Sequence, residues 1–154
     1  MRIIIGCDHG GFELKESIKQ FLSADMKIDL YDAGIYSCES VDYPDYGSVV
    51  AEKVQRGEFE RGILFCGTGI GMSIVANKYP KIRAALCHDI FTARMSREHN
   101  DSNILVIGGR VTGKDLAEEV VSTWVTSKFQ GGRHRRRLEK IRDIEMAIHG
   151  SQPT

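Results

Sequence analysis

No stretch of the 154-residue sequence approaches the roughly 18 to 20 consecutive apolar residues that a membrane-spanning helix needs. The opening Met1-Arg2-Ile3-Ile4-Ile5 reaches Asp8 too soon to form the apolar core of a secretory signal. Both absences point to the cytosol. An excess of charge is missing too, because 21 Lys and Arg balance 21 Asp and Glu. No global field therefore favours nucleic acid or an anionic membrane, and any anion site must be local. Cysteine is scarce: Cys7, Cys38, Cys66 and Cys87 show neither the density of a disulfide scaffold nor a C-x-x-C metal pair. They read as reduced thiols, with Cys7 and Cys87, each ending an apolar run, as buried packing. Internal repeats and low-complexity linkers are also absent. What is present, 42% hydrophobic and 27% charged residues, suits one ordinary globular domain over 1–150 with a frayed tail at 151–154.

Apolar runs at 2–5, 28–31, 62–65, 83–87 and 104–107 predict five strands. Between and after them, helical spacing joins Phe12, Leu14, Ile18, Phe21 and Leu22, and later Leu116, Val120, Val121, Trp124 and Val125. Further helices are predicted at 44–54, 72–76, 90–97 and about 133–149, with a polar loop at 34–42. Strands alternating with helices imply right-handed crossovers, and hence an α/β fold with a mainly parallel, doubly wound sheet covered on both faces.

In such sheets ligands bind beyond the carboxyl ends of the strands. The residues found there are polar: Asp8-His9 after the first strand, Cys66 to Gly71 after the third, His88-Asp89 after the fourth and Gly108-Gly109-Arg110 after the fifth. In Cys66-Gly67-Thr68-Gly69-Ile70-Gly71, three glycines around Thr68 let backbone N–H groups turn inward just before a helix, the geometry of an anion nest. It is not a dinucleotide fingerprint, because that would need glycine at Met72, and no Gly-Lys-Ser/Thr makes it a Walker loop. A thiol at a helix N-terminus is favoured as thiolate by the dipole. A base beside backbone donors is what proton abstraction next to a carbonyl requires: the base takes the proton and the donors hold the enediolate oxygen. His99, in a polar stretch between helix and strand, is either a surface histidine or an acid that opens a sugar ring. Tyr43 either lines a pocket or packs before a helix. The run Gly131-Gly132-Arg133-His134-Arg135-Arg136-Arg137 is the strongest local charge excess; on a helix Arg133 and Arg137 share a face and could clasp a phosphate, but a solvated face or an RNA contact would explain the run equally.

Gly6-Cys7-Asp8-His9-Gly10-Gly11, Asp42-Tyr43-Pro44, the Cys66 to Gly71 turn, Ala76-Asn77-Lys78, Glu98-His99-Asn100-Asp101 and Gly131-Gly132-Arg133-His134 occur in this order. Together they resemble the type B ribose-5-phosphate isomerases, within the wider family that includes galactose-6-phosphate isomerase subunits. The resemblance runs from about residue 2 to 148. It implies a three-layer Rossmann-like fold, no metal and no organic cofactor, and a homodimer or dimer of dimers whose pocket lies between subunits, with the last helix packing on the partner. It also implies a step of the pentose phosphate pathway. In its terms Cys66 carries the proton between C1 and C2, and Thr68 with Gly67, Gly69, Ile70 and Gly71 holds the enediolate. His99 helps open the furanose, Asp8 binds or assists at the ring hydroxyls, and Tyr43 and Asn100 contact the sugar. His9, Arg110, Arg133 and Arg137 hold the phosphate. One branch of the family has a glutamate base just after this turn and no cysteine; here that place is Met72, so the chain resembles the cysteine branch.

Three readings follow from these residues: an isomerase of ribose 5-phosphate and ribulose 5-phosphate, an isomerase of a six-carbon sugar phosphate such as allose 6-phosphate or galactose 6-phosphate, and a catalytically silent phosphate-binding module.

Overall fold

The computed structural model describes residues 1–150; the predicted tail at 151–154 lies outside the described residues. Its five strands are β1 (Arg2–Cys7), β2 (Asp29–Asp32), β3 (Arg61–Cys66), β4 (Ala84–Leu86) and β5 (Ile104–Gly108). They form one sheet in the order β2-β1-β3-β5-β4, with every pairing parallel. The helices are α1 (Phe12–Gln20), α2 (Tyr43–Gln55), α3 (Ile70–Ala76), α4 (Ile90–Glu98), α5 (Lys114–Thr126) and α6 (Arg133–Gly150).

The central strands are apolar without alternation because both faces are covered. Ile3, Ile5, Ile63, Phe65, Leu105 and Ile107 pack on one side against Leu14 and Ile18 of α1, Ala93 of α4, and Val120, Val121 and Trp124 of α5. Ile4, Leu64, Ile104 and Val106 pack on the other against Val50, Ala51 and Val54 of α2, and Met72 and Ala76 of α3. Each fully buried Ile or Leu contributes roughly 1.5–3 kcal/mol relative to exposure. This is the three-layer, doubly wound architecture that the alternating pattern predicts.

Because β1 feeds α1 on one face and β3 feeds α3 on the other, the chain diverges between the carboxyl ends of these neighbouring strands and opens a crevice there. Asp8 and Cys66 stand on its two sides. The crevice is floored by close backbone contacts: a Cβ on Gly11 would lie 2.5 Å from the Phe65 carbonyl carbon, and one on Gly109 would lie 2.7 Å from the Gly10 oxygen.

Several boundaries differ from the sequence pattern. The stripe through Phe21 and Leu22 predicts unbroken helix, but Phe21–Asp25 is a π-helical turn. There the Ser23 hydroxyl donates to the carbonyls of Lys19 and Gln20, competing for the backbone acceptors that continue a helix. Strand β4 is shorter than 83–87, because side chains occupy the backbone at its start: Arg83 N–H donates to Asn103 Oδ1, and Ala84 N–H to Asn77 Oδ1. The third helix begins at Ile70, two residues before the predicted start.

Lys15 is fully buried at the α1–β2 junction, which hydropathy alone does not foresee. Its ammonium donates to both oxygens of Asp32 and to the Ile35 carbonyl. Burial pushes the Asp32 carboxyl up, but hydrogen bonds from Lys15, Lys19 and Gly34 N–H outweigh it and hold the pKa below its ordinary 3.8. This network anchors the start of the loop at 33–42, whose far end returns to His9.

Candidate active site

Strand β3 delivers Cys66 to the crevice with only 4% exposure. The predicted dipole at this thiol is realised as one direct contact: the Gly69 N–H donates to Cys66 Sγ at 3.1 Å. Gly69 adopts φ +82°, a left-handed conformation that glycine takes at little cost, and this folds the turn back over the sulfur. The N–H groups of Gly67 and Thr68 have no acceptor among the described residues. That of Gly71, in the first turn of α3, has no intrahelical acceptor. The Thr68 hydroxyl accepts from Ile70 N–H at 3.3 Å. A buried thiol thus sits beside a row of uncommitted donors.

The turn is held from below and from both sides. Gly109 N–H donates to the Cys66 carbonyl at 2.7 Å and Arg110 N–H to the Gly67 carbonyl at 2.9 Å, so the exits of β3 and β5 are stitched together. The Arg110 guanidinium lies beside Gly67, with Nη1 3.5 Å from where a Cβ would stand. On the opposite flank, the Tyr43 ring covers Gly71, leaving 2.7 Å to a Cβ there. Tyr43 therefore packs against the turn. Asp8, 7% exposed, accepts the Gly11 N–H at 3.1 Å, and Gly10 abuts the Gly67 nitrogen. His9 Nδ1 accepts from Val41 N–H at 3.3 Å, which leaves Nε2 as the protonated nitrogen of the neutral ring. Nothing in the sequence singles out Val41, since only its backbone acts.

The other cysteines divide by environment. Desolvation pushes the Cys7 thiol up to about 11 and also raises that of Cys87, which suits inert packing. Cys38 is exposed. The Met72 side chain is fully buried against α2 and offers no base. Of the family-pattern residues, Asn77 is structural: its amide bridges Ser73 and Ala84.

His99, Asn100, Arg133 and Arg137 form a second cluster elsewhere. Helix α4 runs back from the carboxyl edge of the sheet, so His99, its C-cap, lies near the start of β5. The imidazoles of His99 and His134 stack with centroids 4.1 Å apart and planes 8° apart. Gln130 N–H donates to the Glu98 carbonyl, and the Gln130 side chain to its carboxylate, which ties the segment before α6 to this corner. Desolvation, aided by His99, Arg133 and Arg137, lowers the His134 pKa below 6.5. No hydrogen bond, ion pair or ring contact among the described residues links this cluster to Cys66 or the 67–71 turn. The register explains why: Gly62 faces Ile104 and Cys66 faces Gly108, so the two clusters stand at opposite ends of β5. Four strand residues alone separate them by about 13 Å.

Comparison with known proteins bears on the family and the fold. The Ribose/Galactose Isomerase family profile matches residues 3–141. The chain is 46% identical to ribose-5-phosphate isomerase B of Escherichia coli, covering 94% of this chain and 96% of that one. It is 39% identical to the D-erythrulose-4-phosphate isomerase of Pectobacterium atrosepticum, covering 92% and 93%. The solved structure of Clostridium thermocellum ribose-5-phosphate isomerase B superposes with a TM-score of 0.94 at 55% identity, over 96% of this chain and 99% of the other. With its parallel sheet, its crevice thiol and these relatives, the chain belongs to the ribose/galactose isomerase family, among the type B ribose-5-phosphate isomerases.

Proposed function

We propose that this isomerase interconverts ribose 5-phosphate and ribulose 5-phosphate through a cis-enediolate, at a site completed by a second copy of the chain. The observation that carries the chemistry is the buried Cys66 thiol beside the free N–H groups of Gly67 and Thr68. In the forward direction an acid protonates the ring oxygen as its bond to C1 breaks, while the anomeric hydroxyl gives up its proton to a nearby base, so the open-chain aldehyde is released with no net change in protons. Cys66, as thiolate, removes the proton from C2. The electron pair moves onto the carbonyl oxygen, where the backbone donors meet the growing charge. The same thiol returns the proton to C1, and the C2 hydroxyl proton moves to O1, so that the ketose forms without gain or loss of atoms. Asp8 holds ring hydroxyls, Thr68 and the 67–71 turn hold the enediolate, and Tyr43 closes one wall.

The separation of the two clusters supports a shared site. A pentose phosphate is too short to touch Cys66 and the same protomer's His99 across the length of β5. The partner subunit's His99 would supply the ring-opening acid and the partner subunit's Asn100 a sugar contact. The phosphate would lie between His9 and Arg110 on one side and the partner's Arg133 and the partner's Arg137 on the other. Helix α6 carries an outward apolar stripe, Ile141, Ile144 and Ile148, each at least half exposed in the single chain, which a second copy would cover.

Ketose formation from ribose 5-phosphate, followed with EDTA present, tests the reading. Steady turnover is expected, faster than with allose 6-phosphate and undiminished by the chelator. Turnover of erythrulose 4-phosphate or allose 6-phosphate in preference would assign a different sugar, and silence on all three would contradict the proposal.

A further inference from the structure

The stretch that presents His99 and Asn100 is gripped by two arginines that the reaction itself does not use. Arg83, just before β4, sends Nε to the carbonyls of Asn100 and Asp101, both at 3.0 Å. Its Nη2 reaches the Asp101 carbonyl at 2.8 Å and the Asp101 carboxylate at 3.2 Å. From beneath, Arg97, whose side chain is 8% exposed, pairs with the other Asp101 oxygen at 2.9 Å and donates to the Ser102 carbonyl. A buried chain continues from there: Trp124 Nε1 donates to Ser102 Oγ, which donates to Ser96 Oγ.

This grip costs the fold something. Asp101 is held at φ +46°, and Lys81, two residues before Arg83, at φ +68°, both unusual for residues with side chains. The Arg97 Nε is buried without a partner among the described residues. Such features persist where surrounding structure over-determines them.

We propose that Arg83, acting with Arg97 through Asp101, is a positioning residue that fixes His99 and Asn100 for ring opening. This rests on the ring-opening role assigned to His99 above. Arg83 bonds to the loop and not to Cys66; it sets where the acid stands, and a displacement of about 1 Å at such a group can cost on the order of a hundredfold in rate.

Two reactions separate this role from a structural one. Conversion of ribose 5-phosphate needs the ring opened, whereas ribulose 5-phosphate has no ring, so exchange of its C1 proton with deuterium oxide needs only Cys66 and the nest. Arg83→Met is expected to slow the first by about tenfold or more while leaving the second, at saturating ketose, within about twofold. Asp101→Asn, which keeps the side-chain shape and tolerates the left-handed backbone, should give the same split, with conversion slowed and exchange of the ketose C1 proton nearly unchanged. Unchanged conversion, or an equal fall in both reactions, overturns the proposal. A readout without substrate accompanies this: the Asp101 and Ser102 amides, bonded to the carbonyls of Arg97 and Ser96, should exchange with deuterium faster in Arg83→Met. Unchanged amide protection overturns the clamp even if the wild-type protein turned over no pentose phosphate, a failure that would belong to the functional reading instead.

Discussion

Cys66→Ala is expected to lower the rate of ketose formation by about a thousandfold, within the range a positioned base contributes. The effect should fall on kcat and leave KM for ribose 5-phosphate nearly unchanged, because a group that removes the C2 proton acts in the transition state and not in binding. Binding should survive, since the donors of Gly67 and Thr68, the Arg110 guanidinium and the Asp8 carboxylate do not depend on the sulfur. Cys66→Ser sharpens the test. The serine oxygen can still accept the Gly69 N–H that now meets Sγ at 3.1 Å, so the turn keeps its shape while the ionisable thiol is gone. Loss of turnover in both variants assigns the effect to chemistry; activity in the serine variant would show that the turn, not the thiol, is what matters.

Gly11→Ala should be the most damaging small substitution to the fold. The added methyl would stand 2.5 Å from the Phe65 carbonyl carbon and 2.6 Å from its oxygen and Cβ. These atoms belong to β3, which is hydrogen-bonded to β1 on one side and β5 on the other, so they cannot retreat. We expect about 3 kcal/mol of destabilisation from this overpacking, read as a fall of roughly 6 to 12 °C in Tm for a chain of this size. Gly113→Ala is the matched control, because a Cβ there meets nothing within 4 Å. It should leave Tm nearly unaltered, and an equal loss at both positions would refute the steric account. Gly11 also donates its N–H to Asp8, so any Gly11→Ala protein that folds should bind substrate poorly as well.

Much of this architecture is legible in the sequence because its signals are local. Unbroken apolar runs mark strands buried on both faces, and the residues just beyond them mark the crevice. The glycines of the 66–71 turn announce in their spacing the tight turn that folds back over Cys66. What the sequence hides depends on the third dimension. Spacing alone gives no sign that His99 and Arg133 stand at the opposite end of β5 from Cys66; the topology of α4 decides it. Lys15 reads as a surface charge on an amphipathic helix, yet Asp32 and the Ile35 carbonyl draw it wholly inside. The hydrogen bond from Val41 to His9 uses a main-chain group, which any residue but proline would provide. Arg83 belongs to an apolar run that predicts a strand, and only the structure shows its guanidinium holding the loop that follows α4.

A catalytic centre built from Cys66 of one chain and His99 of another is tested most directly by mixing two inactive variants. Cys66→Ala and His99→Asn proteins, each nearly silent alone, would be unfolded together in urea and refolded. In a two-fold symmetric dimer, half of the randomly paired molecules then carry one intact site of two, so about a quarter of wild-type activity should return. If mixed dimers form, as mass spectrometry would show, and no activity returns, then the two groups do not meet across an interface and the shared-site account is wrong.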